Sequence, residues 1–162
     1  MREREAVLAL VRHARAEWYL VAQLLEITGG AERVVRGDWI GFEPPELRAA
    51  VADGAARDAD LDEFEAQIAE LAAEGISVVM VMDDEYPTNL RLIYNRPPFL
   101  FVRGSLAPED DRAIAVVGTR QASEEGRALA DSLARELASS GVTVLSGLAL
   151  GIGLDGPRLA SS

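Results

Sequence analysis

Ile114-Ala115-Val116-Val117-Gly118-Thr119-Arg120 opens the stretch whose reading decides the fold. A helical run follows, and Val142-Thr143-Val144-Leu145-Ser146-Gly147-Leu148-Ala149-Leu150-Gly151 closes it. Two apolar runs each end in a glycine-bearing turn. Between them Ser123 or Glu124 begins a helix, with Leu129, Leu133 and Leu137 beside Ala130 and Ala134 as its buried stripe, and Ser140-Gly141 ends it. Strand, helix and strand at this spacing predict a parallel, right-handed crossover. The two junctions then lie side by side at the carboxyl ends of neighbouring strands, where open α/β sheets bind ligands. Bare backbone N–H groups and a helix N-terminus at that place favour an anion.

Each residue of the junctions has a reading. Gly118 lets the chain turn off the strand, Thr119 offers a hydroxyl and an N–H, and Arg120 can grip a phosphate with two prongs. Ser123 either caps the helix or leaves its hydroxyl for a phosphate, and Gly126 allows close approach to the first helical turn. Ser146 and Gly147 form the opposing lip. The dinucleotide fingerprint G-x-G-x-x-G and the P-loop pattern are both absent. The same glycines also suit plain tight turns between strand and helix.

The chain has 162 residues, enough for one good domain or two small ones, and 49% of them are apolar. No apolar run approaches a membrane span, and the charged start Met1-Arg2-Glu3-Arg4-Glu5 does not read as a secretion signal. There is no cysteine, which removes disulfides and thiolate chemistry and fits the cytoplasm. A net charge of −11 disfavours non-specific binding to nucleic acid by the chain as a whole. All 16 cations are arginines, the side chain suited to planar phosphate contacts, although a genome rich in G and C gives the same bias.

Upstream, residues 3–28 read as helix with a break near Ala14–Glu17, ended by Thr28-Gly29-Gly30. Short helices are predicted over Ala31–Arg36 and, after Pro44-Pro45, over Glu46–Ala56. Another, capped by Asp60 or Asp62, runs over about Leu61–Glu74 with Phe64, Ile68 and Leu71 on one face, and Gly75 stops it. The carboxylates of this helical module, residues 1–75, read as a solvated face. At Gly75 the composition changes. Ile76–Met82 is an apolar, β-branched run of the kind buried on both faces in parallel sheets. Phe99–Gly104, Ile114–Val117 and Val142–Leu145 are three more predicted strands. The fold class is therefore α/β, a helical module followed by a partial Rossmann-like parallel sheet in residues 76–162.

Other candidates are weaker. Asp83-Asp84-Glu85 sit consecutively on a turn without a histidine, which favours solvent exposure over metal binding. The single histidine, His13, has no partner for zinc or for a triad, so no metal or catalytic residues are predicted. Trp18, Tyr19 and Trp39 could stack bases but read more simply as packing residues. Asp110-Asp111 reads as a solvated loop.

Several of these pieces, taken in order, resemble the DNA-processing protein A (DprA/Smf) family. They are Tyr86-Pro87-x-x-Leu90-x-x-Ile93, Pro97-Pro98-x-Leu100-x-x-Arg103-Gly104, Ile114–Arg120, Ser123-x-x-Gly126 and Ser146-Gly147-Leu148-Ala149-x-Gly151-Ile152. The N-terminal module is similar, less specifically, to the family's small sterile-alpha-motif-like domain. The resemblance implies a Rossmann-like domain that binds single-stranded DNA and loads a RecA-type recombinase in natural transformation, without catalysis or cofactor. It places Gly118, Thr119 and Arg120 on a backbone phosphate, Ser123 and Gly126 behind them, and Ser146, Gly147 and Gly151 on the second edge.

The text departs from the family after Ile152. Leu150 stands where an arginine is usual, and Gly153 where an aspartate is usual. The expectation is a shortened domain with weakened DNA binding, lacking further strands, a DNA-contacting lysine and the surface of a homodimer. Two rival readings are an inactive or partner-dependent remnant, and a nucleotide-phosphate enzyme of the same Rossmann variety, whose P-G-G-x-G-T-x-x-E setting is missing.

Overall fold

A computed structural model of the chain describes residues 2–13, 17–36, 58–119 and 121–147. The predicted helix over Glu46–Ala56 and the turn at Trp39 lie outside them. The chain divides into two compact units, Met1–Leu106 and Ala107–Ser162, so the change of composition at Gly75 falls inside the first.

In the first unit α1 (Glu3–His13) and α2 (Trp18–Thr28) flank the expected break, and α3 (Ala31–Val35) follows directly. The apolar side chains of α1 and α2 recur at helical spacing and so share one face. Val7, Leu10, Val21, Leu24 and Leu25 are all within 1% of complete burial and form the centre of the core. Gly29 ends α2 in the left-handed conformation, φ 78°, and its N–H closes on the Leu25 carbonyl. Gly30 begins α3 at φ 150°, where a side chain is strained. Having no side chain, Gly30 cannot cap α3. Glu3 of α1 does so instead: its Oε2 accepts from the N–H of Ala31 at 2.7 Å and of Glu32 at 3.3 Å.

Helix α4 (Asp58–Ala73) places Phe64 in a small cluster with Leu8 and Ala9 of α1. Asp60 and Asp62 lie inside this helix rather than at its cap. The carboxylates of α4 are not merely solvated. Arg2 donates to Asp62 at 2.6 Å and to Glu65 at 2.8 Å, and Arg12 grips both oxygens of Glu63 at 2.7 and 2.8 Å. Arg12 also lies 4.2 Å above the Phe64 ring, so its guanidinium joins the ion pair to the apolar seam. The Arg12 hydrogen bond holds the Glu63 carboxyl below its ordinary pKa.

Gly75, at φ 74°, turns the chain into β1 (Ile76–Met80). Of the apolar run Ile76–Met82, Val78, Val79, Met80 and Val81 are buried without alternation, whereas Ile76 is half-buried and Ser77 and Met82 are exposed. The partner strand differs from the expectation. β2 (Phe99–Arg103) pairs with β1 antiparallel, from Ile76↔Arg103 to Met80↔Phe99, and the two form a sheet of their own. The helical layer supplies the face burial that the apolar run of β1 requires: α1 and α4 pack on β1. The half-sheet of four parallel strands is thus not formed among the described residues.

The connection from β1 to β2 is knotted by polar contacts. Asp83 Oδ2 accepts from the Met80 N–H at 3.0 Å and from Arg4 Nη2 at 3.1 Å. Asp83 is therefore a turn-holding residue, while Asp84 and Glu85 are exposed as expected. A one-turn helix α5 (Thr88–Arg91) carries Arg91, which donates to the carbonyls of Val81 and Asp83. Tyr86 is 1% exposed, and its hydroxyl donates to the Pro97 carbonyl at 2.7 Å.

In the second unit a 3-10 turn (Pro108–Asp111) leads into β3 (Ala113–Ala115), then α6 (Glu124–Ser139) and β4 (Thr143–Leu145). β3 and β4 are parallel, in the register Ala113↔Thr143, Ile114↔Val144 and Ala115↔Leu145. This is the strand-helix-strand unit of a partial Rossmann-like fold. Gly141, at φ 70°, ends α6 and returns the chain to the sheet. Asp110 is more than a solvated loop residue: it accepts from the Ala107 N–H at 2.9 Å and from the Thr143 hydroxyl at 3.2 Å, tying the entry turn to β4. Among the described residues no helix is long and apolar enough to cross a membrane.

Candidate anion-binding site

The register of β3 and β4 decides where the two glycine junctions fall. Ala115 is level with Leu145, and the Val116 N–H donates to the Leu145 carbonyl at 2.9 Å. The chain leaves both strands immediately afterwards, so Val117-Gly118-Thr119 and Ser146-Gly147 emerge next to one another at the carboxyl edge. All five residues are exposed.

The helix start is fixed by Ser123. Its Oγ accepts from the Gly126 N–H at 3.1 Å, and its carbonyl accepts from the Arg127 N–H at 3.0 Å. Of the two roles open to Ser123, the structure uses it as the cap. A Cβ on Gly126 would stand 3.3 Å from that Oγ, so the glycine leaves the cap uncrowded. The Thr119 hydroxyl oxygen accepts from the Gln121 N–H at 3.2 Å. Both hydroxyls thus spend an acceptor internally and keep an O–H that can donate outward. That is the polarity an anion requires.

Gly147 is informative in a different way. A Cβ there meets nothing within 4 Å, and its φ is not positive. Among the described residues neither backbone strain nor crowding demands glycine at this position, whereas close approach of a ligand to the backbone would.

Two acidic residues belong to the site as well. Glu124 and Glu125 occupy the first turn of α6 and are exposed. They stabilise the helix end through its dipole but oppose an anion placed there. The Ser-Glu-Glu order showed them in the sequence, where they were read only as the helix start. Arg120 and Gly151, the cation and the far glycine of the predicted pocket, lie outside the described residues, as do Leu150 and Gly153. The structure thus brings together Gly118, Thr119, Ser123, Gly126, Ser146 and Gly147.

Comparison with known proteins bears on this same stretch. Residues 77–156 match the family model described as DNA recombination-mediator protein A. The DNA processing protein DprA of Bacillus subtilis is 34% identical over 90 residues, 55% of this chain and 30% of that protein. The DprA of Streptococcus pneumoniae is 36% identical over 72 residues, 44% of this chain and 25% of its own length. Protein Smf of Synechocystis is 34% identical over 77 residues, 45% of this chain and 19% of the relative. The chain spans less than a third of the length of these relatives. Matched residues include the Tyr86 turn, both strands of the parallel pair and both glycine junctions, and it is through residues 77–156 that the chain is similar to the DprA/Smf family of DNA recombination-mediator proteins.

Proposed function

We propose that the edge formed by Gly118, Thr119, Arg120, Ser123, Gly126, Ser146, Gly147 and Gly151 binds a backbone phosphate of single-stranded DNA, in the cytoplasm, and that the chain serves recombinase loading in natural transformation. The role is binding, not catalysis, and the macromolecular partners are the strand and a RecA-type recombinase. The observation that carries this reading is the adjacency of the two junctions at the carboxyl edge of β3 and β4, with the capped start of α6 beside them. Arg120 supplies the charge that offsets Glu124 and Glu125, and counterion release makes such a contact favourable even on an acidic chain.

Fluorescence anisotropy with a labelled oligothymidylate tests the proposal. Binding is expected to fall with salt. Arg120→Ala is expected to weaken it about tenfold and to lower the logarithmic salt slope by about 0.7, the contribution of one single-strand phosphate contact. Gly147→Val is expected to abolish binding while leaving the melting temperature unchanged, because among the described residues nothing occupies the space its side chain enters. No binding at low salt sinks the reading.

A second observation favours partner dependence. Ile114, Val117 and Leu145 at the small parallel sheet and Leu129 and Leu133 on α6 are exposed, from 46% to 79%. A two-stranded sheet with one helix buries too little to stand alone, and uncovered strand edges associate. The sedimentation coefficient is expected to rise with concentration, and Leu129→Gln with Leu133→Gln to suppress the rise. A chain that stays monomeric and melts in one sharp cooperative step argues against it.

A further inference from the structure

The register of the first sheet fixes which backbone groups of each strand face outward. The Val81 N–H donates to the Pro98 carbonyl at 2.9 Å, so these two residues form a hydrogen-bonded pair of the antiparallel ladder. Bonded and non-bonded pairs alternate along such a ladder. Val79↔Leu100 and Ser77↔Val102 are therefore bonded pairs as well. Ile76, Val78 and Met80 of β1 turn their N–H and C=O groups away from β2, and Phe99, Phe101 and Arg103 of β2 turn theirs away from β1.

The two outer edges differ. That of β1 is blocked at Val78 and Met80. Arg4 Nε donates to the Val78 carbonyl at 2.9 Å, and Asp83 Oδ2 accepts from the Met80 N–H at 3.0 Å. The Asp83 N–H in turn donates to the Met80 carbonyl at 2.9 Å. Charged side chains set on an edge in this way keep a further strand from pairing there. On β2 the outward N–H and C=O groups of Phe99, Phe101 and Arg103 have no hydrogen-bond partner among the described residues. Phe101 is 55% exposed, with its ring edge-on to Phe99 at a centroid separation of 5.3 Å. The helices α1 and α4 pack on β1, the strand farther from this open edge.

The open edge is complementary to itself. Phe99-Leu100-Phe101-Val102-Arg103 carries no acid in a chain of net charge −11. Two copies paired antiparallel about Phe101 set ring against ring at the two-fold axis. Arg103 of each copy then lies opposite Phe99 of the other, where a guanidinium can cover an aromatic face. The two Arg103 residues stand about 14 Å apart, four residues along a strand, whereas parallel pairing would place them side by side. The antiparallel arrangement also closes on itself. The joined sheet runs β1-β2-β2-β1, and both of its outer edges are the blocked edges of β1, so assembly ends with the dimer. A sheet of two strands is marginal by itself, and one of four is not.

We propose that β2 pairs antiparallel with β2 of a second copy, centred on Phe101, and that the chain forms a closed dimer through a four-stranded sheet. The interface belongs to the first unit and stands even if the phosphate edge of the second unit fails its own test.

The chain has no cysteine, so single cysteines report the pairing. Directly opposed residues of a hydrogen-bonded antiparallel pair have Cα atoms about 5.5 Å apart, within reach of a disulfide. Phe101→Cys in the full chain is expected to form an intermolecular disulfide on mild oxidation. Arg103→Cys is expected to do so at least about tenfold more slowly, because its two copies stand too far apart. Equal rates would mark random collision and overturn the proposal. Sedimentation equilibrium of the dilute chain is expected to give twice the chain mass, and Leu129→Gln with Leu133→Gln to leave that mass unchanged. Phe101→Lys sets like charges face to face at the two-fold axis and is expected to raise the dissociation constant about tenfold. Phe101 is exposed, so circular dichroism is expected to show the same fold in each variant. A monomeric mass at every concentration, as for an edge that receives a strand of another protein, overturns the proposal, and so does a dimer that Phe101→Lys does not weaken.

Discussion

Tyr86→Ala is expected to destabilise the first unit by about 3–5 kcal/mol, the range for deleting a large buried aromatic side chain. Tyr86 is 1% exposed and touches three things at once. Its ring belongs to the main core with Val79, Met80 and Val81, its hydroxyl donates to the Pro97 carbonyl at 2.7 Å, and Arg91 lies 5.4 Å from its ring centre. Removing it leaves a cavity where the connection from β1 to β2 crosses the core. Tyr86→Phe keeps the ring and loses only the hydrogen bond, for about 1–3 kcal/mol once the orphaned carbonyl is counted. Urea denaturation separates the two values, and near-equal costs would show that the ring is not a core element.

Alkaline pH gives a second readout of the same residue. Burial raises the Tyr86 pKa above the tyrosine value of about 10. The native state therefore favours the neutral phenol. Its stabilising contribution is complete below the unfolded-state pKa and is lost as pH rises through the folded-state pKa. Tyr86→Phe is expected to flatten the stability curve above about pH 10.

Gly30→Ala is expected to cost about 3 kcal/mol, several times the usual surface substitution. Two effects combine. Gly30 sits at φ 150° and ψ 158°, a region that only glycine occupies without strain. A Cβ there would also stand 3.0 Å from Glu3 Oε1 and 3.2 Å from Oε2. The carboxylate would have to withdraw from the Ala31 and Glu32 N–H groups, removing the only side-chain cap seen at the start of α3. Gly29→Ala is the control. Its φ of 78° is strained for alanine, but nothing lies within 4 Å of the added Cβ, so about 1 kcal/mol is expected. Glu3→Ala alone is expected to cost about 1 kcal/mol, and in combination with Gly30→Ala the costs are expected to fall short of their sum. Equal costs at Gly29 and Gly30 would refute the role of Glu3.

Local features of the fold were legible because they depend on few neighbouring residues. Glycine at a helix end is read from one position, and Gly29, Gly75 and Gly141 all take positive φ where a helix stops. The stop-and-start of α1 and α2, the length of α6 and the continuous burial of Val78–Val81 follow from the apolar pattern of the sequence. At the candidate site the pairing of the two junctions was readable too, since a strand, a helix and a strand at this spacing admit little but a parallel neighbour. Two placements were not readable. Trp18 was assigned to packing because aromatic rings usually are, and only the geometry of the surrounding helices leaves it outside. Asp110 was assigned to solvent because nothing in a linear text shows that Thr143 lies opposite.

The sequence by itself determined most helices and strands, the glycine stops, the two glycine junctions and the likeness of residues 77–156 to the DprA/Smf family, because each of these rests on side chains close together in the chain. Tertiary structure alone decided which strands pair and which charges meet. β1 takes β2 as an antiparallel partner, and α1 and α4 pack on β1. Glu3 caps a helix 28 residues away, and Arg12 reaches Glu63 across 51. Such contacts carry no local signature: they depend on where whole helices pack, and packing is set by the sum of many buried apolar contacts rather than by any one residue type.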